Sequence, residues 1–155
     1  MIRLYSIRNG AAGTRQTLEL MAELARQGAT LPYAKLAAVR WTVEQWDEML
    51  RSVWQSQEEM DEELTPADFQ LRTLVTSGYM IGDCDDAGIV AGALGVAARV
   101  PTQFIALRRP ADAAFSHVLT VAEPIRAVSV TRWVIDPTAP RNQNYAGWEQ
   151  MTQAV

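Results

Sequence analysis

The chain reads as an α+β fold with an antiparallel sheet. Three observations predict it. Helix signals fill the first two thirds of the sequence, and strand signals follow Pro101. The run from Cys84 to Ala98 is apolar and rich in Ala and Gly, as a buried helix packed on one face of a sheet would be. Three strand-like runs then occur in close succession, at Thr102–Leu107, Ser116–Val121 and Ala127–Ile135.

The bulk composition sets bounds. A chain of 155 residues that is 48% hydrophobic is long enough for one domain with a real core. It divides into a helical part (1–64), a core (65–138) and a polar tail (139–155). The net charge of −4 and the scattered arginines give no electrostatic case for nucleic acid. No stretch approaches the ~18 apolar residues of a membrane span, and Met1 to Arg26 lacks the apolar stretch of a secretory signal. A lone cysteine excludes an intramolecular disulfide and any CxxC metal knuckle. Synthesis in a reducing cytoplasm is the expectation.

The elements follow in order. Met1–Ile7 alternates and reads as a strand or an arm, and Asn9-Gly10-Ala11-Ala12-Gly13 as a loop. Thr14 caps a predicted helix running to about Gln27. Leu18, Met21, Ala22 and Ala25 share one face of it, and Gly28 takes the C′ position. Pro32–Arg40 is a shorter helix. Thr42 and Gln45 form a capping box before a helix whose stripe is Val43, Trp46, Leu50, Val53 and Trp54, with the tryptophans read as core. Gln57–Glu63 is an acidic connection that lacks the glycine and alternating ligands of a calcium loop. Thr65-Pro66-Ala67-Asp68 starts a helix, with Thr65 as N-cap, that Gly78 ends. The glycines of the central helix, Gly88, Gly92 and Gly95, lie inside it, so they do not form a dinucleotide loop.

The chemistry concentrates at three residues. Cys84, within Gly82-Asp83-Cys84-Asp85-Asp86, opens the central helix. The only histidine, His117, lies in Phe115–Val121. Asp136 ends the strand-like run Trp133-Val134-Ile135. Cysteine, histidine and aspartate at element edges are a nucleophile, a base and an orienter. The thiolate attacks a carbonyl, the imidazole takes its proton, and the carboxylate fixes the imidazole tautomer. A helix N-terminus favours the anion, and the Cys84 N–H can face a developing oxyanion. Asp83, Asp85 and Asp86 oppose it, so His117 must supply most of the thiolate stabilisation. A zinc site from the same three residues lacks a fourth ligand.

The box Gly82-Asp83-Cys84-Asp85-Asp86, the Leu/Ala helix ending near Val100-Pro101, Ser116-His117-Val118 and Trp133…Asp136-Pro137-Thr138 together resemble the transglutaminase-like superfamily, over about half the chain. The resemblance implies a papain-like cysteine fold with Cys84 as nucleophile, His117 as general base and then acid, and Asp136 as orienter. It implies acyl transfer from an amide or peptide bond of a peptide or protein substrate to water or an amine, with no cofactor and no metal. Short forms with this box look like those of bacteria and phages. This implies an alternative, a structural component of a phage tail or tail tip, partnered by other phage structural proteins and carried in a virion. Two features depart from the family pattern. Val118-Leu119-Thr120-Val121 replaces a strand with an aromatic and an acid. No oxyanion donor is evident upstream of the box, leaving Tyr79 and Gln70 as candidates.

Overall fold

The computed structural model describes residues 2–57, 64–126, 129–130 and 132–155, with side chains for 12–57, 64–124 and 132–155. The fold is α+β. Helices α1 (Ile2–Ala29), α2 (Pro32–Arg40) and α3 (Val43–Val53) come first. A short strand β1 (Trp54–Ser56), helix α4 (Ala67–Ser77), strand β2 (Met80–Gly82) and helix α5 (Cys84–Ala97) follow. The sheet-forming half contains β3 (Thr102–Arg108), β4 (His117–Ala122), β5 (Ile125–Arg126), β6 (Ser129–Val130), β7 (Trp133–Ile135) and β8 (Glu149–Ala154). The main sheet is antiparallel with strand order β7-β4-β3-β8. No helix among the described residues is long and apolar enough to cross a membrane.

Helix α5 is the hub. Every residue from Asp85 to Gly95 is buried. One side meets Leu18, Met21, Ala22 and Ala25 of α1. Another meets the inner sheet face through Phe104, Ala106, Val118 and Ala122. Small residues make this closeness workable. A Cβ on Gly92 would lie 2.8 Å from Phe104 Cζ and 3.0 Å from Ala25 Cβ, so α5 can approach both layers only without a side chain there. The outer sheet face holds a second, smaller cluster, Ile105, Leu107, Leu119 and Val121, covered by Tyr145 and Trp148.

Several local signals act as read. The capping box is present, with the Thr42 N–H donating to Gln45 Oε1 (2.9 Å) and the Gln45 N–H donating to Thr42 Oγ1 (3.3 Å). Trp46 and Trp54 are core. Gly78 ends α4 in the left-handed conformation, φ 81°.

Others do not. The segment expected as an arm and a loop is the first part of α1, which runs through Gly10 and Gly13 without a break. Thr14 is therefore inside a helix and fully buried, not a cap. Gly28 lies in α1 rather than past it. A Cβ there would meet Ala67 Cβ at 2.5 Å, so glycine answers to helix packing, not to a turn. Helix α4 begins at Ala67, with Pro66 in the cap position and no side-chain cap. The Thr65 N–H instead donates to Asp86 Oδ1 at 2.8 Å, tying the start of α4 to the start of α5. The tail contains a strand, β8, paired with β3. Of the acidic connection, Glu58–Glu63 lies outside the described residues, as do 127, 128 and 131 of the last predicted strand.

Candidate active site

Cys84 is the first residue of α5, immediately after β2. The turn into the helix is held from several sides. The Gly82 carbonyl accepts from Trp54 Nε1 (3.2 Å) and from the Gln57 N–H (2.9 Å). The buried Gln70 side chain clamps Ile81, donating to its carbonyl (2.6 Å) and accepting from its N–H (3.2 Å). Asp83 takes the cap position but makes no side-chain cap bond, so it does not cover the N–H groups of the first turn.

Sheet pairing explains the other two residues. His117 opens β4, opposite Leu107 of β3. Strand β7 pairs with β4 through Thr120↔Ile135, so the next residue, Asp136, emerges alongside the start of β4. His117 Nε2 and Asp136 Oδ2 are 2.6 Å apart. The other oxygen, Oδ1, accepts from the Thr138 hydroxyl (2.8 Å) and the Thr138 N–H (3.3 Å). Both carboxylate oxygens are committed, which fixes the imidazole and leaves Nδ1 as the nitrogen that can take a proton from a nucleophile.

The sulfur meets this pair through the backbone. The backbone N–H of Val118, the residue after His117, lowers the Cys84 thiol, and the Asp136 charge raises it. His117 and Asp136 are thus paired, and Val118 and Asp136 both act on Cys84; Cys84 is half-buried, His117 partly exposed and Asp136 buried. Burial pushes the Cys84 thiol well above its ordinary value, and the Asp85 and Asp83 carboxyls push it further. The Val118 N–H acts in the opposite direction.

Asp83, Asp85 and Asp86 bring carboxylate oxygens within 4.8 Å of one another, a spacing that would also suit a cation. Within it, Asp86 Oδ1 accepts the Thr65 N–H at 2.8 Å. Burial and a hydrogen bond with Asp83 push Asp85 up to about 9, so it holds a proton at neutral pH. Asp85 Oδ1 accepts the Asp86 N–H at 3.0 Å.

Sequence reasoning missed Tyr145. Its ring stacks on His117 with centroids 5.6 Å apart and planes 23° from parallel, and Trp148 abuts it edge-on at 5.1 Å. Burial pushes its hydroxyl above the ordinary range, and the charges of Asp136 and Cys84 add to this. The available signal was a pair of aromatics three apart in a stretch otherwise made of Asn, Gln, Ala and Gly. Gln70, one of the two oxyanion candidates, is excluded because its amide is spent on Ile81. Tyr79 is exposed. The Cys84 N–H at the α5 N-terminus is the better-placed donor.

The chain matches no protein-family model, no curated protein and no solved structure.

Proposed function

We propose that the protein is a cysteine-dependent acyl-transfer enzyme of transglutaminase-like type, acting on amide or peptide bonds. The observation that carries this is the 2.6 Å His117–Asp136 pair, beside Val118, whose N–H acts on the Cys84 thiol. In this reading Cys84 attacks the carbonyl carbon and its proton passes to His117 Nδ1. The oxyanion is met by the N–H groups of the first turn of α5. Collapse breaks the C–N bond. The leaving amine takes the proton from His117, and a thioester to Cys84 remains. Water or a second amine, deprotonated by His117, then releases the acyl group and the thiol. Whether hydrolysis or transfer dominates depends on how well the bound substrate excludes water.

A second reading, an assembly component of a phage tail or tail tip, draws on the exposed apolar side chains Leu36, Val39, Phe69 and Val75 of α2 and α4. It does not need the triad to turn over.

Acylation by p-nitrophenyl acetate separates the two. The enzyme reading expects p-nitrophenolate release and one acetyl group on Cys84 by peptide mass mapping. It expects no acetyl at this position in Cys84→Ala, and a rate at least ~100-fold lower in His117→Ala. Acetylation of Cys84 at the same rate with and without His117 would leave the assembly reading.

A further inference from the structure

His117 is gripped from two sides. The Asp136 carboxylate meets its Nε2 at 2.6 Å, and the Tyr145 ring lies nearly parallel to the imidazole with centroids 5.6 Å apart. Both residues belong to one segment, 136–145, which leaves the end of β7 and runs toward β8. The same segment borders a recess of about 320 Å³ beside Asp136, which Asp47 and Arg51 of α3 also line.

Segment 136–145 forms turns and neither helix nor strand, so no ladder fixes its course. Its polar ties to another element converge on α3. Arg51 donates from Nη1 to the Ala139 carbonyl (2.7 Å) and from Nε to Asp47 Oδ1 (3.1 Å). Arg141 donates from Nη1 to Asp47 Oδ2 (3.0 Å) and from Nη2 to Glu48 (2.5 Å). Glu48 is exposed, and a pair of that kind contributes little. Asp47 is different, because it is only 2% exposed and each of its oxygens holds one arginine. Asp47 and Arg51 are helix neighbours, but Arg141 is 94 positions away from Asp47. The buried carboxylate therefore fastens the middle of the segment to α3, between Asp136 at one end and Tyr145 at the other.

We propose that Asp47 is a positioning residue of the site: through Arg51 and Arg141 it clasps segment 136–145 to α3, and so holds Asp136 and Tyr145 against His117. Its effect on rate rests on the acyl-transfer reading. An imidazole that takes a proton from a nucleophile must present Nδ1 in one direction, and a small misplacement of such a group is costly in rate. The hydrogen bond to Asp136 restrains the imidazole within its plane. The Tyr145 ring restrains it out of plane. Trp148 backs Tyr145 edge-on from the β8 side, and the clasp restrains it from the β7 side. Asp47 itself touches none of the reacting atoms.

The chain has one histidine, so the imidazole C–H resonances in the proton spectrum of the full-length protein belong to His117. A stacked aromatic ring displaces them upfield. Tyr145→Leu should remove that displacement, and Tyr145→Phe should keep it. Arg141→Gln cuts the clasp at a side chain that is 49% exposed and leaves Asp47 paired with Arg51, so no buried charge is stranded. It should move the His117 resonances in the direction that Tyr145→Leu does, at both plateaus of a pH titration. It should also slow Cys84 acetylation by p-nitrophenyl acetate about tenfold. A tie that serves only the fold would lower the urea midpoint of Arg141→Gln and leave the resonances and the rate at their wild-type values. That result would overturn the proposal, as would resonances that move with no change in rate, or a Tyr145→Leu spectrum equal to wild type. Wild-type protein that is never acetylated at Cys84 removes the acyl-transfer reading instead. The resonances need no turnover and then judge the clasp alone.

Discussion

At Cys84, burial and the carboxyls of Asp85 and Asp83 act together against a thiolate. Losing the proton to bulk water would place an uncompensated charge in that setting. Passing it to His117 keeps the net charge of the pocket constant, so the penalty is far smaller. The nucleophile on this account is made on demand by its neighbour. Asp85 illustrates the same electrostatics through stability. Its carboxyl is raised in the folded state, so the folded protein binds this proton more tightly than the unfolded chain does. The associated stability is complete at low pH and is lost as pH rises from about 4 through about 9. Urea unfolding across this range should show wild-type stability falling relative to Asp85→Asn, by up to about 1.4 kcal/mol per pH unit. Parallel stability–pH curves for the two proteins would mean that Asp85 does not hold its proton as described.

Among the elements, α5 decides the most, because its burial on every side brings the Cys84 end against the start of β4. Gly92→Ala tests that closeness. The added methyl meets the Phe104 ring at 2.8 Å and the Ala25 methyl at 3.0 Å, so overpacking should cost roughly 1–3 kcal/mol, measured by chemical denaturation. An unchanged or higher midpoint would show that α5 has slack. The elements also show what a single sequence reveals. α3 and the end of α4 were legible because Thr42, Gln45 and Gly78 act within a few residues of themselves. Cys84, His117 and Asp136 stood out because rare or charged residues sat at the edges of apolar runs. The start of α1 was hidden because Asn9, Gly10 and Gly13 carry turn signals, yet the helix runs through all three. β8 was hidden because its residues, Glu149 to Ala154, are mostly polar. It is an edge strand whose partner β3 lies some forty residues away. Gln70 pairing with Ile81, and Tyr145 stacking on His117, are tertiary facts that no local pattern encodes.

Across the whole molecule, two neighbouring strands of an antiparallel sheet pair His117 with Asp136, and the start of α5 puts Cys84 under the influence of Val118 and Asp136. The segment between β7 and β8 then covers the outer side of the sheet, placing Tyr145 over His117 and closing the wall of the recess beside Asp136. The acyl-transfer function proposed above turns on a single proton, the one that would pass from Cys84 to His117. The most direct measurement is the rate of Cys84 alkylation by iodoacetamide from mildly acidic to alkaline pH, in wild type and in His117→Ala. The account predicts labelling at neutral pH in wild type. In His117→Ala it predicts a loss of at least ~100-fold and a profile displaced far into the alkaline range, where the buried thiol titrates alone. The same rate and the same profile in both proteins would contradict it.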